Sequence, residues 1–179
     1  MIIKIRNCLD KLKSQKGSIV FLIASLAVWI FIIGFVTDFV RILALRRQFT
    51  IQFDHALKAA AKQLDEEQLA DRVIYILPDE ARTVFAEVFA EGMGLVNSYP
   101  YFTPGEQDKG YAGTIEVLEF NVLNDVPIED NITSGVVFDY PAVHGVIKLP
   151  IETCFWRYFG IEEMNIIIHC DASTETLDI

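Results

Sequence analysis

The stretch that decides the fold lies near the N-terminus, where residues Ser18 to Thr37 read SIVFLIASLAVWIFIIGFVT. No charged side chain interrupts this run, and no other run like it occurs in the chain. About 20 apolar residues in a helix cross the hydrocarbon core of a bilayer, which is about 30 Å thick. The sequence therefore predicts a single transmembrane helix over residues 18–40.

An uncleaved anchor is favoured over a cleaved secretory signal. A signal has an apolar core of about 7–15 residues that ends in a small-x-small cleavage site. Here the run is longer, and its far end, residues 36–41, reads VTDFVR, which is no such site. We expect the span to remain in the mature protein.

The orientation of the span follows from the charges beside it. Residues 1–17 form a basic tail with five lysines or arginines and one acid, Asp10. Positive flanks stay in the cytoplasm, although three arginines soon after the span weaken this signal. We expect a cytoplasmic N-terminus and an extracytoplasmic C-terminal domain, with the span in the cytoplasmic (inner) membrane.

The exported part is strongly acidic. Residues 48–179 carry seven basic and 23 acidic side chains, a formal charge of −16, against −10 for the whole chain. Such a domain does not attract nucleic acid or anionic lipid. Its charge suits solubility, a cation or a basic partner surface.

A helical stalk is predicted over residues 41–68. Neither proline nor glycine occurs between Asp38 and Asp65, so span and stalk form one helix of about 45 residues and about 65–70 Å. Its outer half packs on the chain's own domain, on other such helices in a homo- or hetero-oligomer, or on both. The apolar residues recur at helical spacing; they are Leu45, Phe49, Phe53, Ala56, Ala60 and Leu64.

Residues 69–179 are predicted to form an α+β domain. A second helix begins at Pro78, and four β-rich stretches follow at residues 114–123, 135–140, 143–153 and 164–172. An aromatic connection ending in Gly160 suits an antiparallel pair of the last two, and Pro150 places the third strand at an edge or a bulge. The fold class is a long transmembrane helix continuing as a stalk, a second helix and an antiparallel β-sheet.

An aromatic loop is predicted over residues 98–113, SYPYFTPGEQDKGYAG. Long loops without structure of their own are often functional. Two interpretations stay open: an exposed interaction site, or packing of Tyr99, Tyr101 and Phe102 on the sheet.

Several stretches together resemble the TadE/TadG-like family of the Flp (Tad) pilus assembly systems. Residues 16–18, KGS, are similar to the family's "RGS" entry to the apolar run, and GFVTDFVR at 34–41 is similar to its Gly-x-x-x-Asp-x-x-Arg exit. FDHALKAAA at 53–61 is similar to its alanine-rich helix, and residues 147–172, with Phe159-Gly160, to its terminal strand, aromatic turn and strand. About half of the chain is covered, and the implied fold is pilin-like.

One departure concerns processing. Family members cut by prepilin peptidase carry glycine at the cleavage point and glutamate five residues later; here Leu22 stands five residues after Gly17. The likeness is therefore closer to the unprocessed, anchored TadG-like branch. It implies an envelope component of pilus assembly or adhesion and no enzyme.

Residues expected to act in helix packing lie at the exit of the span and along the stalk. Asp38 and Arg41 stand three apart on one helix face, where they pair with each other or with a neighbouring subunit. The complete set of interaction residues is Gly34, Asp38, Arg41, Phe49, Phe53, Ala56 and Ala60.

Catalytic or metal chemistry has weak support in the sequence. No histidine has a metal-ligand spacing, and the adjacent His169 and Cys170 point to opposite faces of a strand. Cys154 and Cys170 are candidates for a disulfide, although the simple hairpin register places Cys154 nearer residue 165. Residues 124–131, NDVPIEDN, offer oxygen ligands without an EF-hand spacing. No cofactor is predicted.

The function expected from these features is mechanical. The chain anchors an envelope domain that packs with pilins or pilus assembly proteins. One alternative is a membrane-tethered sensor or ligand-binding domain with a pocket; another is a tethered enzyme around His144 and Cys170.

Overall fold

The structure is a computed structural model that describes the backbone of residues 2–105, 113–125, 128–129 and 137–174. Side chains are described within 19–105, 113–125 and 139–174. Within these ranges the fold is a long N-terminal helix, two further helices and an antiparallel sheet. This confirms the predicted α+β class.

The first helix, α1, runs without a break from Ile2 to Ala61. It includes the basic tail, the apolar run and most of the stalk, and its 60 residues correspond to a length of about 90 Å. Between Ile19 and Ala61, α1 is long and apolar enough to cross a membrane, and its most apolar window is entirely exposed.

Two shorter helices follow. Helix α2 spans Glu66–Ala70, and the Asp65 carboxylate caps it by accepting hydrogen bonds from the backbone N–H groups of Glu67 and Gln68. Helix α3 spans Pro78–Met93 and begins at the predicted proline. It ends at Gly94, whose φ of +64° is a conformation that glycine adopts without steric cost.

The main sheet has five strands in the order β1-β2-β3-β6-β7, and all neighbours are antiparallel. A separate pair joins β4 and β5. The strands are β1 Leu95–Ser98, β2 Tyr101–Pro104, β3 Ile115–Leu123, β4 Ile128–Glu129, β5 Val137–Phe138, β6 Ala142–Glu152 and β7 Glu163–Ser173.

The predicted loop over residues 98–113 is in part a hairpin, because β2 pairs with both β1 and β3. Phe102 is fully buried, whereas Tyr99 and Tyr101 remain partly exposed. Packing of this stretch against the chain's own core therefore holds for Phe102, whereas the role of the exposed tyrosines as an interaction site stays a prediction. Residues 106–112 lie outside the described residues.

Pro150 lies on β6, which is a central strand over most of its length. The pairing of β6 with β3 reaches only Lys148, whereas its pairing with β7 continues to Glu152. Pro150 thus lies where β6 has become a local edge, which is where a residue without an N–H is tolerated.

The hydrophobic core lies between the sheet and the pair of helices α1 and α3. The rings of Phe53, Phe85 and Phe89 pack edge-to-face or stacked, with centroids 5.7–5.8 Å apart. Opposite them on β6, Gly145 leaves the space into which Phe53 and Leu57 fit, since a Cβ there would lie 2.7 Å from the Phe53 ring. The core is therefore built directly on the outer half of α1.

The position of the stalk stripe corrects one expectation. Phe49, Phe53, Ala56 and Ala60 are each 0% exposed within the chain's own core. They are therefore unavailable for packing against a helix of another chain, and for these four residues only packing on the chain's own domain holds.

We predict that Phe53→Ala lowers the free energy of unfolding of the α+β domain by about 3–5 kcal/mol, the usual cost of truncating a buried aromatic side chain. The matched control is Phe21→Ala on the same helix, because Phe21 is 77% exposed on the apolar run. Denaturant unfolding in detergent micelles, followed by near-ultraviolet circular dichroism, measures both. Equal effects of the two substitutions would contradict the assignment of the core.

Candidate membrane-proximal junction

A turn between β6 and β7 folds back onto the apolar half of α1. This segment, residues 154–160, is called the aromatic turn here and reads CFWRYFG. It contains a short 3₁₀ helix, Trp156–Phe159, which ends at Gly160 with φ +82°. Its contacts with residues 31–41 of α1 form the junction between the apolar run and the α+β domain.

The Asp38 carboxylate is the polar centre of the junction. Its Oδ1 accepts a hydrogen bond from the backbone N–H of Cys154 at 3.0 Å. Its Oδ2 accepts from Phe155 at 2.7 Å and from Trp156 at 3.0 Å. These donors open the 3₁₀ helix, where backbone N–H groups have no partner within the helix. Asp38 thus caps a turn 116 residues away in sequence, and its side chain is buried.

Aromatic rings extend the junction along α1 toward the N-terminus. Phe35 contacts Trp156 edge-on at a centroid distance of 5.2 Å. Phe31 contacts Phe155 at 5.5 Å and Phe159 at 5.7 Å in the same geometry. Edge-to-face pairs at these distances are favourable beyond the area they bury.

Gly34 allows the close approach of the turn to α1. A Cβ at this position would overlap the Phe155 ring, so any larger residue displaces either the ring or the helix. The side chains of Asp38 and Phe31 lie one turn away on either side, and Phe155 fits between them.

Arg41 completes the junction on the outer side. Its guanidinium donates to the Cys154 Sγ, so Arg41 and Asp38 both contact Cys154 from one face of α1, as their spacing predicts. Within the turn, the Thr153 hydroxyl donates to the Ile161 carbonyl and closes the base of the loop.

The structure brings the exit residues Gly34, Asp38 and Arg41 together on one partner, the aromatic turn of the same chain. The sequence predicted their shared face and missed that partner, because a contact over 116 residues leaves no local pattern. Two signals were available in the sequence. A carboxylate at the end of an apolar run needs hydrogen-bond donors if it is buried, and an aromatic turn needs an apolar surface to pack on.

The candidate disulfide between Cys154 and Cys170 is not formed: both cysteines are free. Cys170 pairs in register with Gly145, whereas Cys154 follows β6 at the opposite end of β7, where Glu152 pairs with Glu163. Seven strand residues separate the two levels, about 23 Å, far beyond the 7 Å that a disulfide spans between α-carbons.

Cys170 lies instead against the outer half of α1. Burial raises the pKa of its thiol to about 11, and the nearby carboxylates of Asp54 and Asp171 act in the same direction. The ammonium of Lys58, which pairs with Asp54 at 2.8 Å, opposes this rise. The thiol is therefore protonated and poorly nucleophilic at neutral pH.

His144 and Cys170 do not share a site. His144 is buried, its Nδ1 lies 2.5 Å from the Asp171 Oδ1, and its Nε2 lies 3.8 Å from the Glu119 Oε2. Cys170 stands opposite Gly145 on the face toward α1, and neighbours along a strand point to opposite faces. The tethered-enzyme alternative placed the two residues together, and this arrangement separates them.

In the described part of the chain, no three His, Cys, Asp or Glu side chains converge to hold a metal ion. Most of the acidic segment 124–131, considered as a calcium loop, lies outside the residues whose side chains are described.

Comparison with known proteins gives no match: no protein-family model, no curated protein and no solved structure is similar to the chain. The likeness to the TadE/TadG-like family therefore rests on the quoted stretches of sequence alone. The geometry of the junction and the exposed apolar helix carry the functional argument.

We predict that Asp38→Asn loosens the aromatic turn. The amide keeps one acceptor oxygen but turns an NH₂ group toward backbone donors, and loss of hydrogen bonds to a charged group costs about 1.5–3 kcal/mol. Hydrogen–deuterium exchange in detergent should show faster exchange of the amides of residues 154–156. Asp139→Asn, at an exposed position, serves as the control, and unchanged exchange in Asp38→Asn would refute the capping role.

We predict that Cys170 resists alkylation in the folded protein at pH 8, where a thiol of pKa about 11 is only about one part in a thousand thiolate. The rate with iodoacetamide should still be rising at pH 10, and Asp54→Asn should increase it at a given pH by removing a negative charge. Peptide-level mass spectrometry measures the rate. A plateau below pH 9 would show that the raised pKa is wrong.

Proposed function

We propose that this chain is a non-enzymatic, single-pass envelope protein of TadE/TadG-like type that acts in a Tad or type IV-like pilus assembly or adhesion system. Its work is anchoring and packing with pilins or assembly proteins. The N-terminus lies in the cytoplasm and the acidic domain outside the inner membrane.

One observation carries the proposal: a single helix serves both as the exposed apolar span and as the central element of the domain core. Residues from Ile19 to Ile33 are largely exposed, whereas Phe49, Phe53 and Leu57 are fully buried. In a pilin-like architecture the same division places the inner half of the helix in lipid or among neighbouring subunits. The outer half carries the globular domain.

The junction supports a mechanical role. Asp38 fixes the aromatic turn to α1 through three backbone donors, and Phe31 and Phe35 hold it through ring contacts. The domain is thereby attached to the helix at the turn as well as through the core. Such double attachment transmits force and orientation between the span and the domain.

The exposed inner half of α1 supplies the surface for partners. Phe21, Leu22 and Leu26 are more than half exposed, and within a bilayer such side chains meet either lipid or another apolar helix. If the resemblance to the TadE/TadG-like family holds, that second helix belongs to a pilin or to a membrane-embedded assembly protein.

The proposal is tested in the native organism by deleting the gene and restoring it on a plasmid. We expect deletion to reduce surface pili and surface attachment, and the wild-type copy to restore both. Immunoblotting of membranes confirms that the restored protein is present. Electron microscopy counts the pili. Unchanged pilus number and attachment after deletion would refute the proposal.

Partner identity is tested in the same strain by photo-crosslinking from the helix. A photoreactive residue replaces Phe21, whose side chain faces outward, and mass spectrometry identifies the captured protein. A pilin or pilus assembly protein is expected. The matched control replaces Phe31, which faces the aromatic turn of the same chain, and should give mainly intramolecular products.

A further inference from the structure

The far end of the aromatic turn and the residue after it, residues 156–161, are called the tip here and carry apolar side chains that the described part of the chain leaves partly or largely exposed. Tyr158 is 82% exposed, Phe159 is 58% exposed and Ile161 is 41% exposed. They adjoin one another on a surface that continues into the exposed apolar run of α1. Adjoining exposed aromatics of this kind mark a site that meets an apolar environment.

The ring contacts give the level of this surface along α1. The base of the turn binds Asp38, just past the end of the apolar run, while Trp156 contacts Phe35 and Phe159 contacts Phe31. Phe31 stands seven residues before Asp38, which is about 10 Å along a helix axis. The tip therefore extends beside the span to a level inside its apolar segment.

The composition of the tip suits the boundary between lipid headgroups and acyl chains. Tryptophan and tyrosine concentrate at that boundary because each has an apolar ring and a polar atom. Arg157 is the basic residue of the tip, and its half-exposed side chain lies 3.7 Å from the Glu152 carboxylate. An arginine there extends toward headgroup phosphates while its stem stays among apolar groups.

We propose that the aromatic turn is a second membrane contact, which inserts Trp156, Tyr158 and Phe159 into the outer leaflet beside the span. The occupant of this surface is lipid, because the surface is continuous with the apolar run and lies at its level. The inference rests on the membrane anchoring of α1 and is independent of the pilus role, so the result of the pilus assay does not bear on it.

The chain contains two tryptophans, Trp29 and Trp156, which makes fluorescence the direct test. The full-length Trp29→Phe variant is reconstituted singly into lipid nanodiscs, leaving Trp156 as the sole emitter. The lipids carry a spin label either at the fifth acyl carbon or near the end of the chain, and iodide probes exposure to water. We expect the shallow label to cause a larger loss of emission than either the deep label or iodide.

A second probe reports the tip itself. Tyr158→Trp is made in a chain that also carries Trp29→Phe and Trp156→Phe. The matched control is Tyr140→Trp in the same background, because Tyr140 is also exposed but precedes β6, at the end of that strand remote from the turn. We expect lipid labels to quench the probe at 158 and iodide to quench the probe at 140.

Two outcomes overturn the proposal. Quenching of position 158 by iodide as strong as that of position 140 would place the tip in water. Quenching of position 158 by neither agent would show that protein covers it. Slow alkylation of Cys170 in each variant confirms that the domain is folded, so a misfolded variant is not mistaken for either result.

Discussion

A buried carboxylate at the end of an apolar helix constrains the rest of this structure. Asp38 leaves water when the turn closes over α1, and a buried charge is stable only when donors surround it. The three amides of residues 154–156 meet that requirement. Because these amides lie between β6 and β7, Asp38 sets where the turn of the β6–β7 hairpin meets the apolar run.

The rest of the junction follows from that position. Once the turn lies over Asp38, the Phe155 ring falls on Gly34, where any side chain would collide with it. Phe31 and Phe35 then provide flat apolar surfaces for Phe159 and Trp156. Further along α1, the core around Phe53 contacts Gly145 near the other end of the same hairpin. Two attachments on one helix thus hold the sheet.

The sequence predicted the secondary-structure elements better than the tertiary contacts between them. The continuous helix, the start of α3 at Pro78 and the paired strands β6 and β7 follow from periodicity and turn residues, which act locally. The hairpin of β1 and β2 was hidden in a stretch rich in proline and glycine. The role of Asp38 depended on donors more than 100 residues away, and the Cys154–Cys170 disulfide was excluded by strand register, which spacing alone does not give.

The unbroken course of α1 has a further consequence. From Phe35 to Ala61 the helix contains neither glycine nor proline, so no hinge separates the part in the membrane from the part in the core. Transmembrane helices tilt by about 20° on average. Over the roughly 35 Å between Asp38 and Ala61, a tilt of that size swings the far end sideways by about 12 Å. When α1 spans a bilayer, any change in its tilt therefore also displaces the domain sideways.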